Sequence, residues 1–208
     1  MPTIEEARDY YQADDAVHGF SHIMRVYRLC ERIGKQENAD LTILRAAALL
    51  HDVEGDVDIR EDHHLAAARF AEETLKKEGW EDEAISAVVH CIRAHRFRDD
   101  SEKPLTLEAQ VLFDADKIDA IGAVGVARAV AYAVRAGMDV YAPPSDHYLS
   151  TGELAPGESQ TVAHEYLFKL RHIKDRMFTV TGRSLAAKRH ELMVQFFEGW
   201  LDEIGDYS

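Results

Sequence analysis

The sequence is short of cysteine, of basic residues relative to acidic ones, and of long apolar runs, and each shortage excludes something. Only two cysteines occur in 208 residues, Cys30 and Cys91, and they form no CxxC pair. A disulfide framework and a cysteine zinc cluster are excluded, and a reducing, cytoplasmic setting is expected. No stretch approaches the roughly 20 apolar residues of a membrane span, so no membrane partner is expected. The opening MPTIEEARDYYQ is acidic and has no apolar core, unlike a signal peptide. Basic residues number 24 against 38 acidic ones, a formal net charge of −14. So negative a surface repels a phosphate backbone, which argues against long nucleic acid as a partner. The alternating pattern of a β-strand is also missing, and no internal repeat is visible.

What remains is helical periodicity. Ile23, Val26, Tyr27, Cys30 and Ile33 form one apolar stripe. The run LTILRAAALL at 41–50 is apolar on nearly every side, as expected for a helix at the centre of a domain. Helical spacing recurs over 64–78, 82–95, 106–121 and 123–136, with Gly122 and Gly125 implying close helix approach. Two more helices are expected near 160–175 and 182–204. Between them and the rest, 137–160 holds Gly137, Pro143, Pro144, Gly152, Pro156 and Gly157, and reads as an irregular excursion. One all-α domain over 1–208 is the expected architecture, with that excursion as a cover over substrate. A length above the common single-domain mode of roughly 100–150 residues still allows it.

Histidine is abundant, with 11 in the chain. The dipeptide His51-Asp52 is uninformative as a dipeptide, since composition alone yields about one. Its position is informative: it ends the most apolar helix, where polar groups need partners. A C-terminal histidine satisfying helix carbonyls is the alternative at this point. His18 and His22 are spaced to share one helix face. Asp114, Asp116 and Asp119 interrupt a helix that otherwise reads as buried. Imidazoles and carboxylates of this kind are ligands for a divalent ion such as Mn²⁺, Fe²⁺, Co²⁺, Ni²⁺ or Zn²⁺, with Mg²⁺ a further candidate.

Three segments together resemble the HD-domain superfamily of metal-dependent phosphohydrolases: HGFSHIMRVYRLC at 18–30, AALLHDVEGD at 47–56 and LFDADKIDAIGAVGVAR at 112–128. The resemblance is closest to small stand-alone bacterial and archaeal members, through Asp62-His63, the run Ile92-Arg93-Ala94-His95-Arg96-Phe97, and residues 114–122. It implies an HD-type helical bundle and a metal held by His22, His51, Asp52 and Asp116. It also implies hydrolysis of a phosphoester or phosphoanhydride bond in a small phosphorylated substrate, often a nucleotide.

Further roles follow from the resemblance. Asp119 and His18 would fix ring orientation and water around the metal. His63 and His95 stand at intervals similar to those of the extra histidines in binuclear relatives; the alternatives are contacts to substrate phosphate or helix caps. Glu54 and Asp56 would orient water or be solvated. Lys117 and Arg96, with Arg93, Arg98 and Arg128 nearby in sequence, would neutralise phosphate in an otherwise acidic protein. Lys117 has an alternative, pointing to solvent about 100° around the helix from Asp116. Two rival functions belong to other classes: an HD-fold di-iron oxygenase, and a non-catalytic nucleotide sensor. Oligomerisation is left open.

Overall fold

A computed structural model describes residues 1–11, 19–53, 63–96 and 102–205, except the side chain of His63. Among them there are helices and no strands. They form two compact units, Met1–Lys117 with Phe178–Gly182, and Ile118–Met177 with Arg183–Ser208.

The first unit is built around α3 (Leu41–Leu50), which packs against α1 (Ile4–Arg8), α2 (Phe20–Glu37), α4 (His63–Lys77) and α5 (Asp82–Ala94). Seven of its ten residues are buried, and the run Ala46, Ala47, Ala48 lets neighbouring helices approach closely. The Asp40 carboxylate caps α3 by accepting from the backbone N–H groups of Thr42 and Ile43 at 2.7 and 3.3 Å. α1 begins with a capping box in which Thr3 and Glu6 satisfy each other's backbone N–H. α2 starts at Phe20 with Gly19 as its N-cap and stops at Asn38 in the left-handed conformation, φ 61°. It therefore does not reach His18, which lies outside the described residues. The helix-face pairing expected for His18 and His22 is not part of α2 as described.

α6 (Leu107–Asp119) carries three aspartates with different environments. Residues 114 and 116 are about 200° apart around a helix, so they face opposite ways. Asp114 is fully buried and accepts from Phe178 N at 2.9 Å, Thr179 N at 2.8 Å and Thr179 Oγ1 at 2.7 Å. It thereby fixes the start of α10 (Val180–Gly205). A Cβ on Gly182 would sit 2.2 Å from Asp114 Oδ2, so only glycine fits there.

The second unit holds α7 (Gly122–Arg135), α8 (Asp146–Thr151), α9 (Val162–Phe168), a 3-10 helix Leu170–Arg176 and most of α10. The helix expected near 160–175 is two pieces, because the backbone at Lys169 leaves helical dihedrals, φ −127° and ψ −56°. Gly122 sits at φ 77°, where its bare Cα meets Arg189 of α10. Gly125 faces the Ala120 carbonyl rather than another helix: a Cβ there would lie 2.2 Å from that oxygen. Residues 137–160 are irregular apart from α8. Glu158 ties them together by accepting from Ser145 N, Ser145 Oγ and Ala155 N, each at 2.7 Å, and it lies 3.0 Å from His164 Nε2. Phe197 is fully buried and stacks on Tyr166 at 4.3 Å. No helix among the described residues is long and apolar enough to cross a membrane.

Candidate metal centre

Four elements of the first unit bring polar side chains to one place. α2 contributes His22 from its first turn, buried on the same side as Val26, Leu29 and Ile33. The end of α3 contributes His51 and Asp52, α5 ends in His95, and α6 contributes Asp116. His22 Nε2 lies 3.5 Å from Asp52 Oδ2 and 3.4 Å from Asp116 Oδ1. His51 Nε2 lies 3.7 Å from Asp52 Oδ2, and His95 Nε2 lies 3.5 Å from Asp52 Oδ1. Ligand atoms of His22, His51 and Asp52 all fall within 4.8 Å of one another.

The state of these groups fits a cation. His51 is the C-cap of α3, and its Nδ1 is 2.9 Å from the Ala48 carbonyl oxygen. A carbonyl only accepts, so Nδ1 carries the proton and Nε2 carries the lone pair. That Nε2 is buried and has no hydrogen-bond partner. Burial pushes the His51 pKa down to about 4, outweighing the nearby carboxylates, so the ring is neutral at neutral pH. Burial would raise Asp52, but His51, His22 and His95 around it hold its carboxyl well below the usual range. Burial would likewise raise Asp116, and Lys117 and His22 overcome it.

Neutral imidazoles and ionised carboxylates are the forms that bind metal. Two atoms each about 2.1 Å from one ion stand about 3.0–3.4 Å apart for angles of 90–109°. The observed separations of 3.4–3.7 Å are near that spacing and too long for good hydrogen bonds. The orphaned buried lone pair of His51 lies beside the Asp52 carboxylate, and the donor set of His22, His51 and Asp52 could hold a divalent ion.

The other expected site residues are placed as follows. Lys117 does not point away to solvent: Nζ turns back to Asp116 Oδ2 at 2.8 Å and lies 5.5 Å from the Phe113 ring centroid. Arg96 Nη1 is 3.5 Å from Nδ1 of His64. Arg93 pairs with Glu102 at 2.9 Å. Asp119 belongs to the second unit, where it is fully buried and accepts from Arg128 at 2.7 Å. The His63 side chain, and Glu54, Asp56, Asp62, Phe97 and Arg98, lie outside the described residues.

Two participants escaped the sequence reading. His64 is buried beside Arg96 and falls in phase with Ala67, Ala68, Ala71 and Leu75, a periodicity that could have singled it out. Tyr11 donates through its hydroxyl to the Leu49 carbonyl at 2.8 Å, and no sequence signal marks it.

Residues 19–121 match the HD domain family model. YpgQ of Bacillus subtilis is 34% identical over 199 residues, 92% of this chain and 89% of that protein. The crystal structure of YpgQ in complex with ADP superposes with a TM-score of 0.75, covering 97% of this chain and 98% of that one at 34% identity. An HD-superfamily hydrolase from Bacillus thuringiensis gives 0.68 at 28% identity, covering 96% and 95%. A predicted HD-superfamily hydrolase from an uncultured Thermotogales bacterium gives 0.64 at 26%, covering 96% and 90%. The chain belongs to the HD-domain superfamily.

Proposed function

We propose that this chain is a metal-dependent phosphohydrolase that cleaves a phosphoester or phosphoanhydride bond in a small phosphorylated molecule, a nucleotide foremost. The observation that carries this reading is the buried, partnerless Nε2 of His51 beside the ionised carboxylate of Asp52. The HD-superfamily hydrolases among its structural relatives support the reaction class, and the ADP complex of YpgQ supports the nucleotide.

His22, His51, Asp52 and Asp116 would hold the metal. When bound, a divalent ion supplies a Lewis acid that acidifies water and polarises a phosphoryl oxygen. The chain's own groups do the rest. The Ala48 carbonyl fixes the tautomer of His51. Lys117 offers a cation for charge developing on phosphate, and its contact with Asp116 keeps it in place. His95 presents Nε2 next to Asp52, where it would hold a proton or orient water. Arg96, reached through His64, would meet a further phosphate oxygen. Asp119, paired with Arg128, would anchor the last turn of α6.

The test is a phosphatase screen over nucleoside mono-, di- and triphosphates and sugar phosphates, with Mn²⁺, Co²⁺, Ni²⁺, Fe²⁺, Zn²⁺ and Mg²⁺ in parallel. Release of phosphate or pyrophosphate that needs both metal and Asp52 is expected. Nucleotide binding without turnover under every metal would replace the enzyme with a sensor. Two irons per chain with oxygen consumption would replace it with an oxygenase.

A further inference from the structure

No histidine or carboxylate of the metal centre comes from residues 1–11, yet one side chain of that segment reaches it. Tyr11 Oη donates to Leu49 O at 2.8 Å across 38 residues of sequence, three residues before Asp52. In a continuing α-helix these carbonyls would accept from N–H groups four residues on. At the end of α3 they find other donors. Ala48 O takes Nδ1–H of His51, Leu50 O takes Val53 N–H at 3.5 Å, and Leu49 O takes the phenol. The phenol is the donor in that set that comes from outside the helix end itself.

The ring of Tyr11 lies 5.9 Å from that of Phe20, the first residue of α2, two residues before His22. Around them Ala7, Ile23 and Leu49 form a buried cluster, with Tyr10 and Tyr27 packed on it. One side chain thus touches the start of the helix that carries His22 and the end of the helix that carries His51 and Asp52. A phenol keeps its proton at neutral pH, so the hydroxyl is a donor to the Leu49 carbonyl there.

We propose that Tyr11 is a positioning residue for the metal centre: its hydroxyl, held on the Leu49 carbonyl while its ring packs on Phe20, sets how the chain leaves α3 into His51 and Asp52 and thereby how tightly the site holds a divalent ion. This rests on reading His22, His51, Asp52 and Asp116 as metal ligands. Groups that orient ligands without touching the metal commonly govern affinity by ten- to a hundredfold.

The experiment titrates Mn²⁺ into the metal-free full-length protein, followed by calorimetry and by the electron paramagnetic resonance line shape of bound Mn²⁺. Wild type, Tyr11→Phe and Asp52→Ala are compared. Tyr11→Phe keeps the ring against Phe20 and removes only the hydroxyl, so the variant folds, with a cooperative melt as the check. Tyr11→Phe is expected to bind Mn²⁺ about tenfold or more weakly with an altered line shape. Asp52→Ala should lose the site. Wild-type affinity and line shape in Tyr11→Phe, beside an Asp52→Ala protein that has lost Mn²⁺, would overturn the positioning role and leave the site standing. Wild-type binding by Asp52→Ala would overturn the site reading, and this inference with it.

Discussion

The imidazoles of His51 and His95 stand edge to face, 5.2 Å between centroids at 87°, and each is anchored in the same way. Each is the C-cap of its helix, and each directs Nδ1 to the carbonyl three residues back, Ala48 for one and Ile92 for the other. The two rings therefore present Nε2 toward the same Asp52 carboxylate from two different helices. A histidine at a helix end commonly satisfies carbonyls, and here that bond also selects the nitrogen left for chemistry.

Metal should stabilise the fold through these groups. At a metal concentration near 100 times the dissociation constant, wild type gains about 2.7 kcal/mol. For a chain of this size that is a rise of about 5–10 °C in Tm. His51→Ala and Asp52→Ala should show no metal-dependent rise and no turnover while keeping their helical circular dichroism. A full metal-dependent rise in Asp52→Ala would remove that residue from the site.

Lys117→Met should lower kcat/KM for an anionic substrate about ten- to a hundredfold at saturating metal, the value of one charge-assisted hydrogen bond of about 1.5–3 kcal/mol. Lys117→Arg should recover only part, since a planar fork does not replace a point charge. Steady-state kinetics at several metal concentrations separate this from a change in metal affinity. An unchanged kcat/KM would confine Lys117 to its contact with Asp116.

Asp114→Ala should destabilise by about 2–4 kcal/mol, because a buried carboxylate with three donors is lost and those donors are left without it. Gly182→Ala should also destabilise, through the clash of its Cβ with Asp114 Oδ2. The double variant should be more stable than the two losses added together predict, because the first change removes the atom that the second strikes. Urea unfolding of the four proteins checks this; strict additivity would mean that the clash is relieved elsewhere.

Glu158 supplies a pH dependence with a defined sign. Ser145 above all, then Ala155 and His164, bring its pKa down from 4.5 to about 2 against the opposing effect of burial. A folded value below the unfolded one adds stability that is complete above about pH 4.5 and is lost as pH falls toward about 2. Glu158→Gln should therefore melt below wild type at pH 7, and the gap should close between pH 5 and pH 2. A constant gap across that range would show that the carboxylate's charge is not what ties residues 145 to 164.

The helices were legible because their apolar stripes were uninterrupted, as in α2 and α3. The break at Lys169 was not, since the apolar spacing continues across it and only the backbone changes. His22, His51, Asp52 and Asp116 were named through the resemblance of three segments to the HD superfamily; polarity against an apolar helix drew attention to those segments without choosing among their residues. Asp114 looks the same in sequence as Asp116, and only its position about 200° around the helix assigns it to α10 instead. His64 falls in helical phase with Ala67, Ala68, Ala71 and Leu75, which marks it for burial. Tyr11 lies in an unremarkable acidic segment, and its bond spans a distance that no local pattern encodes.

Because His51 and His95 both close their helices, α3 and α5 point their C-terminal ends at one spot. Each such end carries roughly half a negative charge, which adds to the charges of Asp52 and Asp116. Among the described residues Lys117 sets a cation against them at Asp116. An anion that arrives first meets a repulsive corner, whereas a divalent ion is drawn in. Binding should therefore be ordered, with the ion entering before the phosphate, and the order is set by which way two backbones run.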